Sequence, residues 1–583
     1  MANILGVSCY YHDSAAALVS DNTLVAASAE ERFSLRKHDA AYPRQAIEFV
    51  LAQAGIQSNS LDHVVFYERP HVALSRALCL LLTGMPGNAA HVGHKLQAWF
   101  GKRIWIRTQL AAHLGVAPKL ISFCPHHEAH ASQAFLLSPY ESAAVMTLDG
   151  VGEWSSGGLF LAKRGNPLSL LRELDFSESL GLPFAAVTRL LGLKPNADEC
   201  STMALAGFVG SEGFASMRAI EEQLNVRNLN FAFDDDRAFD GPLNAYLGCM
   251  RSDALGCLDA RAPRPGNLEG ATRSAVSLAA AMQSHLEQRA TELANELRLE
   301  SGQQNLCIAG GVANNSVMVT KLAEKAGFTN IFVPLDPGDA GAAVGAAAWL
   351  AAHLGEPRLG IVSAYLGKEI PERLGEETVQ IWKGTIAQMG CGIRMIEHAN
   401  IRDAIELCVE ELCNGSIVGW AQGRAEFGPR ALGNRSFLML PDRVRQAERL
   451  ASQVKLRSRF RPFALSILQE DAEAVLDLHN ALFMPYRWMQ ATAQVRHKAI
   501  PRVRAAMHVD GTTRPQVVSA SDGGWLYELL QRVKQRTGLG ALLNTSMNIA
   551  GMPLVNDEMD ALLLFRMTGI DLLVCGNISV KRL

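Results

Sequence analysis

A strand, a polar turn carrying an aspartate and a returning strand occur twice in this chain, and that repetition restricts the fold more than any other feature. Residues 15–19 are apolar, Ser20-Asp21-Asn22 is a turn signal, and residues 23–27 are apolar again, which is the pattern of a β-hairpin. Residues 143–148 then read as a strand, Asp149-Gly150-Val151-Gly152 as a tight turn, and residues 157–162 as the returning strand. A unit used twice predicts two related α/β lobes facing each other across a cleft. At 583 residues the chain also exceeds what one hydrophobic core can fill, so a further domain is expected.

The rest of the pattern supports an α/β fold. A helix-forming stretch at 271–299 leads into a buried strand at 305–309 and then Gly310-Gly311-Val312-Ala313-Asn314-Asn315. A strand at 330–334 leads into Asp336-Pro337-Gly338-Asp339-Ala340-Gly341 and a small-residue helix at 342–354. Strand, glycine-rich turn and helix present backbone N–H groups to a phosphate. Residues 355–392 lose any clean period and read as a domain junction, which divides the chain into 1–358 and 359–583.

His126-His127-Glu128-Ala129-His130 places two histidines four apart, on one face of a helix, where both can reach one metal ion. The zincin motif is excluded because Ala131 stands where it needs histidine. Two histidines under-coordinate a metal, and Asp149 and Asp339, each in a glycine turn, are the carboxylates that complete the set; a solvated helix face with clustered histidines is the other reading. His12-Asp13-Ser14 ends the first strand. The residues alone favour a turn histidine there, the alternative being a cleft histidine that takes a proton from an attacking hydroxyl. From Arg424 to Arg461 ten Lys or Arg meet three acids, Glu426, Asp442 and Glu448. Arginines broken up by Gly and Pro do not form one solvated helix stripe, and their planar forks suit phosphate. The sequence has no P-loop, so an ATP site here is of another kind.

Formal net charge is -3, which provides no field for nucleic acid or an anionic membrane. The 11 cysteines include no C-x-x-C pair and read as reduced thiols. No signal peptide or spanning segment is legible, so a soluble, cytoplasmic protein is expected.

The motifs together resemble the O-carbamoyltransferase family of nodulation, cephem and aminoglycoside carbamoyltransferases. The resemblance is carried by His12-Asp13-Ser14, Ala29-Glu30-Glu31-Arg32-Phe33, the histidine motif, Asp149-Gly150-Val151-Gly152-Glu153-Trp154, Gly310-Gly311-Val312-Ala313 and Gly338-Asp339-Ala340-Gly341. It continues with Gly428-Pro429-Arg430-Ala431-Leu432-Gly433, Phe460-Arg461-Pro462-Phe463-Ala464, His508-Val509-Asp510-Gly511-Thr512 and Asn544-Thr545-Ser546-Met547-Asn548. It implies a duplicated actin/Hsp70-like (ASKHA) N-terminal domain followed by a YrdC-like α/β C-terminal domain. The implied reaction makes carbamoyl adenylate from carbamoyl phosphate and ATP and transfers the carbamoyl group to a hydroxyl of a small-molecule secondary metabolite, an antibiotic or toxin precursor. By the same resemblance His126, His130, Asp149 and Asp339 hold a divalent metal, Fe2+ in the first place, with Mg2+ accompanying ATP. His12 becomes the general base, and Lys37, Gly150, Gly310, Gly311, Asn315 and Gly338 line the adenylate pocket. Arg424, Arg430, Lys455, Arg457, Arg461, His508, Arg514 and Asn544 take carbamoyl phosphate and ATP in the C-terminal domain. Family analogy also suggests a homodimer. Ser201, where many members carry lysine, and Leu465, where proline is usual, depart from the pattern. A tRNA threonylcarbamoyladenosine-type modification enzyme and a non-catalytic nucleotide-binding switch are the alternatives, the first opposed by the net charge. Residues 78–105 and 218–264, weakly patterned, are the expected acceptor-binding insertions.

Overall fold

Both hairpins belong to five-stranded sheets that share one topology; the first, residues 15–29, runs to an edge of its sheet, and the second, residues 142–163, includes its sheet's central strand. The computed structural model describes residues 2–83, 99–209, 273–355, 359, 363–390, 392–458, 460–522 and 524–583. In the first sheet β1 (Asn3–Ser8), β2 (Ala15–Ser20) and β3 (Thr23–Ala29) are antiparallel. Strands β4 (His63–Phe66) and β5 (Ile121–Phe123) extend it parallel to β1, in the order β3-β2-β1-β4-β5. Asp21 and Asn22 take positive φ of 49° and 60°, the geometry a two-residue hairpin turn requires.

The second sheet repeats this plan. Strands β6 (Ser142–Gly152), β7 (Ser155–Lys163) and β8 (Ser169–Asp175) are antiparallel, and β9 (Asn305–Ala309) and β10 (Asn330–Phe332) run parallel to β6. Its order, β10-β9-β6-β7-β8, equals the first once the strands are matched one for one. The fold is the duplicated α/β arrangement of the ASKHA class. One local expectation is corrected: Asp149 to Gly152 is not the turn. Strand β6 continues through Gly152 over a register irregularity, and the chain reverses at Glu153 and Trp154, with Glu153 at φ 55°. The irregularity absorbs the extra residues that made the segment look like a loop.

Two helices join the sheets. His126–Leu136 packs on β6 and β9, and Asp339–His353 packs on β1 and β2. They cross where both are smallest: a Cβ on Gly345 would lie 1.9 Å from the Ala129 carbonyl oxygen. Only glycine permits that approach. The Gly338-Asp339-Ala340-Gly341 motif is therefore the start of a buried helix, not a free loop, and Gly341 sits equally tight, with a Cβ 1.8 Å from the Asp336 carbonyl oxygen.

The described residues fall into two compact units. The first comprises Met1–Glu30 and residues from His38 to Val362; the second comprises Glu31–Lys37 and Ser363–Leu583. The expected junction at 355–392 is corrected in part, because Tyr365–Ile370 is a strand and Glu376–Gln388 a helix of the second unit. Polar spacing hid them: three buried residues, Val379, Trp382 and Ile386, mark the inner face of that helix. The second unit is built on a mixed eight-stranded sheet. Helices Ile401–Cys413 and Gly524–Thr537 bury Ile405, Leu412, Leu529 and Val533 against Trp420 and Val574 of its strands. Asn400 caps the first of these, its side chain accepting from Arg402 N and Asp403 N. Leu465 is fully buried in the strand Ala464–Leu468 and Ser201 in the helix Glu199–Ala206. Among the described residues no cysteine pair forms a disulfide and no helix is long and apolar enough to cross a membrane. Most of 78–105 and all of 218–264 lie outside the described residues.

Candidate active site

Parallel strands deliver reactive groups just past their carboxyl ends, and in the first unit each lobe does so. His12 follows β1 and His126 follows β5; Asp149 lies near the end of β6, Gly310-Gly311 follows β9, and Asp339 follows β10. The β9 end is tied to the last of these, since Gly310 N donates to the Pro337 carbonyl at 2.8 Å. Asp339 opens its helix, where the aligned peptide dipoles favour a carboxylate.

The result is a buried four-donor cluster. His126 Nε2 lies 3.4 Å from Asp149 Oδ2 and 3.9 Å from Asp339 Oδ1, and His130 Nε2 lies 3.2 Å and 3.5 Å from the same two atoms. All four donors fall within 4.8 Å of one another. Yet His130 Nε2, both histidine Nδ1 atoms and Asp339 Oδ2 have no hydrogen-bond partner although buried. Buried polar atoms left unmatched are costly, and two imidazoles with two carboxylates aimed at one point form a ligand set for a divalent transition metal. These residues fit the metal that the sequence implies.

The electrostatics agree. Burial opposes a charge on His12, but the Asp339 carboxylate and the Asp13 hydrogen bond hold its proton, lifting it to about 10. Burial likewise opposes charge on His130, and its contacts with Asp149 and Asp339 lift it to about 9. Two carboxylates in so dry a place attract positive charge, here supplied by protons. His127 behaves oppositely: burial and the neighbouring His126 push it down to about 3, so it stays neutral. Its ring bonds to the Ser155 carbonyl at 3.1 Å and lies 3.4 Å from the Thr147 hydroxyl, tying the histidine helix to β6 and β7.

His12 sits at the rim of the cluster. Its Nε2 is 3.8 Å from Asp339 Oδ2, and its Nδ1 is 2.9 Å from Asp13 Oδ2, whose other oxygen is 2.8 Å from His38 Nδ1. Asp13 takes a positive φ of 51° to do this. Such an arrangement fixes the proton on Nδ1 and leaves Nε2 for chemistry.

Gly152 makes room for the cluster: a Cβ there would lie 1.9 Å from His126 Cδ2 and 2.7 Å from its Nε2. Gly152→Ala is expected to swing His126 out and weaken Co2+ binding by at least about tenfold, measured by absorbance titration. Unchanged affinity would show that the imidazole position does not depend on this glycine.

The remaining expected pocket residues are placed less uniformly. Gly311 stands close to Asp149, Gly150 N donates to Asp149 Oδ1 at 2.7 Å, and Gly338 N donates to Asp336 Oδ1 at 3.0 Å. The Asn315 amide exchanges two hydrogen bonds with Gln283, and its oxygen caps the helix Ser316–Lys325. Lys37 belongs to the second unit, where it acts electrostatically on Lys455.

There Lys455 is buried, its ammonium bonded to the Ser546 carbonyl and hydroxyl and to Asn548 Oδ1. Burial, then Arg457, Arg461 and Lys37, drive its pKa well below the usual lysine value. Arg457 stacks 4.4 Å from the Phe463 ring centre. Four cations crowd together while no described carboxylate bonds to Lys455, a setting that an anion relieves. Arg424 has another occupation, donating to the Leu366 and Gly367 carbonyls. Asn544 Nδ2 donates to Ser466 Oγ at 2.9 Å while its buried Oδ1 has no partner. His508 is held low, at about 4, by burial and sits 3.0 Å from the Thr512 hydroxyl. Arg430 and Arg514 are half-buried in the same unit.

Residues 3–348 match the family described as carbamoyltransferase N-terminus and residues 409–582 the one described as carbamoyltransferase C-terminus. The chain belongs to the carbamoyltransferase family. It is 34% identical over 618 residues to an uncharacterised Synechocystis protein, covering 100% of this chain and 97% of that one. It is 32% identical over 579 residues to the nodulation protein NolNO of Sinorhizobium fredii, covering 98% and 79%. It is 32% identical over 278 residues to the 3'-hydroxymethylcephem-O-carbamoyltransferase of Amycolatopsis lactamdurans, covering 48% and 49%.

Within this carbamoyltransferase, sequence reasoning missed Asp13 and His38, which orient His12, and Gly152, which makes space for His126. Asp13 stood beside His12 in the motif and could have been found there; His38 carries no local signal, because only the fold brings it to Asp13.

Proposed function

We propose that this enzyme is an ATP-dependent O-carbamoyltransferase that takes its carbamoyl group from carbamoyl phosphate, by way of carbamoyl adenylate, and gives it to a hydroxyl of a small secondary metabolite. The observation that carries the reading is the buried His126, His130, Asp149 and Asp339 set, with the His12–Asp13 pair 3.8 Å from Asp339. The crowd of cations around Lys455 supports the donor half.

In the second unit Lys455, Arg457 and Arg461 bind the phosphates of ATP and carbamoyl phosphate. Water hydrolyses carbamoyl phosphate to carbamate and inorganic phosphate, and the carbamate oxygen attacks the α-phosphorus of ATP, forming carbamoyl adenylate and expelling pyrophosphate. In the first unit His126, His130, Asp149 and Asp339 would hold a divalent cation, which would offset the two carboxylates and supply Lewis-acid chemistry. His12 is the general base. Its Nε2 takes the proton of the acceptor hydroxyl as that oxygen attacks the carbamoyl carbon, and AMP leaves. Asp13 holds the Nδ1 proton and steadies the imidazolium. The names of relatives, a cephem enzyme among them, support a hydroxylated small-molecule acceptor.

The test incubates the full chain with carbamoyl phosphate, ATP and Mg2+ and follows pyrophosphate release, then searches hydroxylated natural products for a carbamoyl adduct by mass spectrometry. Absence of pyrophosphate with Fe2+, Co2+ or Mg2+ would sink the donor chemistry. Lys455→Met keeps the volume and removes the charge; pyrophosphate release should fall at least about a hundredfold, the scale of losing one preorganised charge on a transferring phosphoryl group. Wild-type release by that variant would remove Lys455 from the donor site.

A further inference from the structure

Five of the six parallel strands of the first unit have been accounted for at the active site: β1, β5, β6, β9 and β10. Strand β4 is the sixth. It lies between β1 and β5, and all three point the same way, so its carboxyl end emerges between those that carry His12 and His126. The residue just past that end is Tyr67. Its N–H donates to the Val7 carbonyl at 3.1 Å, extending the pairing with β1 by one residue.

Tyr67 is 1% exposed. Its ring packs on the His126 ring, centres 5.4 Å apart and planes at 61°, and burial first, then the Glu68 and Asp339 carboxylates, push its phenol well above the usual value. Among the described residues nothing accepts a hydrogen bond from its hydroxyl. A buried tyrosine usually finds a partner for that group. Phenylalanine, the next residue type in size and shape, would satisfy the packing, and Phe66 already stands beside it. The His126 ring on which Tyr67 packs belongs to a cluster in which His126 Nδ1, His130 Nδ1 and Asp339 Oδ2 are buried without a partner. Donors and acceptors left open together at one site mark a place for a polar ligand.

We infer that the Tyr67 hydroxyl is a ligand-contacting hydrogen-bond donor of this active site, directed at an oxygen of the activated phosphate–carbonyl group beside the His126 and Asp339 carboxylate–imidazole cluster. The assignment rests on the nucleotide reading of the same site. It adds to the first unit a neutral donor for an anionic ligand, in a cluster whose protein groups are otherwise carboxylates and imidazoles. A neutral donor suits that place because it attracts the ligand oxygen without competing for the cation.

The experiment compares wild type with Tyr67→Phe in the full chain, loaded with Co2+, with AMP as the probe in titration calorimetry. The variant removes one oxygen atom and leaves the metal ligands untouched. Co2+ stoichiometry and its absorption spectrum should match wild type, AMP should bind about tenfold more weakly, the usual scale for a hydrogen bond to a charged group, and carbamoyl transfer should fall by at least as much. Equal AMP affinity in the two proteins overturns the Tyr67 assignment and leaves the site reading intact. A loss of Co2+ from the variant also overturns it, because Tyr67 would then be a wall that supports His126. If wild type binds Co2+ but no AMP, both the assignment and the nucleotide reading fall.

Discussion

Replacing Asp339 by asparagine should abolish both the divalent-cation binding and the carbamoyl transfer proposed for the first unit. The carboxylate is 3% exposed and faces three histidines: Oδ1 lies 3.5 Å from His130 Nε2 and 3.9 Å from His126 Nε2, and Oδ2 lies 3.8 Å from His12 Nε2. Asparagine keeps the shape, so packing at the helix start is preserved, but it removes the charge and turns an N–H2 toward two imidazoles. Asp149 alone cannot balance a divalent ion in so dry a site. Metal retained after dialysis should fall from one per chain to less than about a tenth, and transfer should drop by at least about a thousandfold, the scale set when a Lewis acid and its ligand geometry are lost together. Pyrophosphate release, the chemistry proposed for the second unit, should persist. That split is the diagnostic result. A variant that keeps its metal and its transfer activity would mean the four-donor cluster is a structural ion-pair network, with the chemistry elsewhere.

How much of this was legible in the sequence follows from what each residue depends on. His126 and His130 could be paired from spacing alone, because helical periodicity is local. Asp149 and Asp339 were legible as turn aspartates, although both lie in regular structure: β6 runs through Asp149, and Asp339 begins a helix. Their glycines serve packing, which resembles loop chemistry when only the chain is in view. Lys37 illustrates the opposite limit. Seven residues, Glu31–Lys37, leave the first unit's fold and join the second, and nothing in their composition announces it. The arginines of the second unit show the same limit in a different form. Arg424 and Lys455 carry the same sign in one basic stretch, but one holds backbone carbonyls and the other sits among cations. Charge counting does not distinguish the two; only tertiary contacts separate an arginine that holds backbone from a lysine set among cations. Arg435 is the extreme case.

Arg435→Met should lower the thermal midpoint of the full chain by about 10 °C, making it the most destabilising single change considered. The side chain is fully buried in the strand Arg435–Met439. Its guanidinium donates to five carbonyl oxygens: Gln422 at 2.7 Å, Gly423 at 3.1 Å, Asn434 at 3.0 Å, Lys368 at 2.9 Å and Asn556 at 3.1 Å. Those carbonyls come from separate stretches of the chain, so one planar fork closes the ends of several elements at once. Burial pushes the guanidinium below its ordinary value, with Glu426 opposing, but an arginine remains charged at any relevant pH. Methionine fills much of the space and removes the cost of a buried charge, which offsets part of the loss. It also leaves five carbonyls short of a donor, those of Gln422 and Asn556 buried and the other three part-buried, each worth about 1 kcal/mol. The net of these opposing effects is about 4 kcal/mol, and in a unit of this size each kcal/mol moves the midpoint by about 2–4 °C. Lysine does not rescue, because three donors on one point cannot reach five acceptors spread around a plane. Scanning calorimetry decides the matter: a shift under about 3 °C would mean that water replaces the guanidinium, and that Arg435 is free to bind a ligand as its neighbours in the motif are proposed to do.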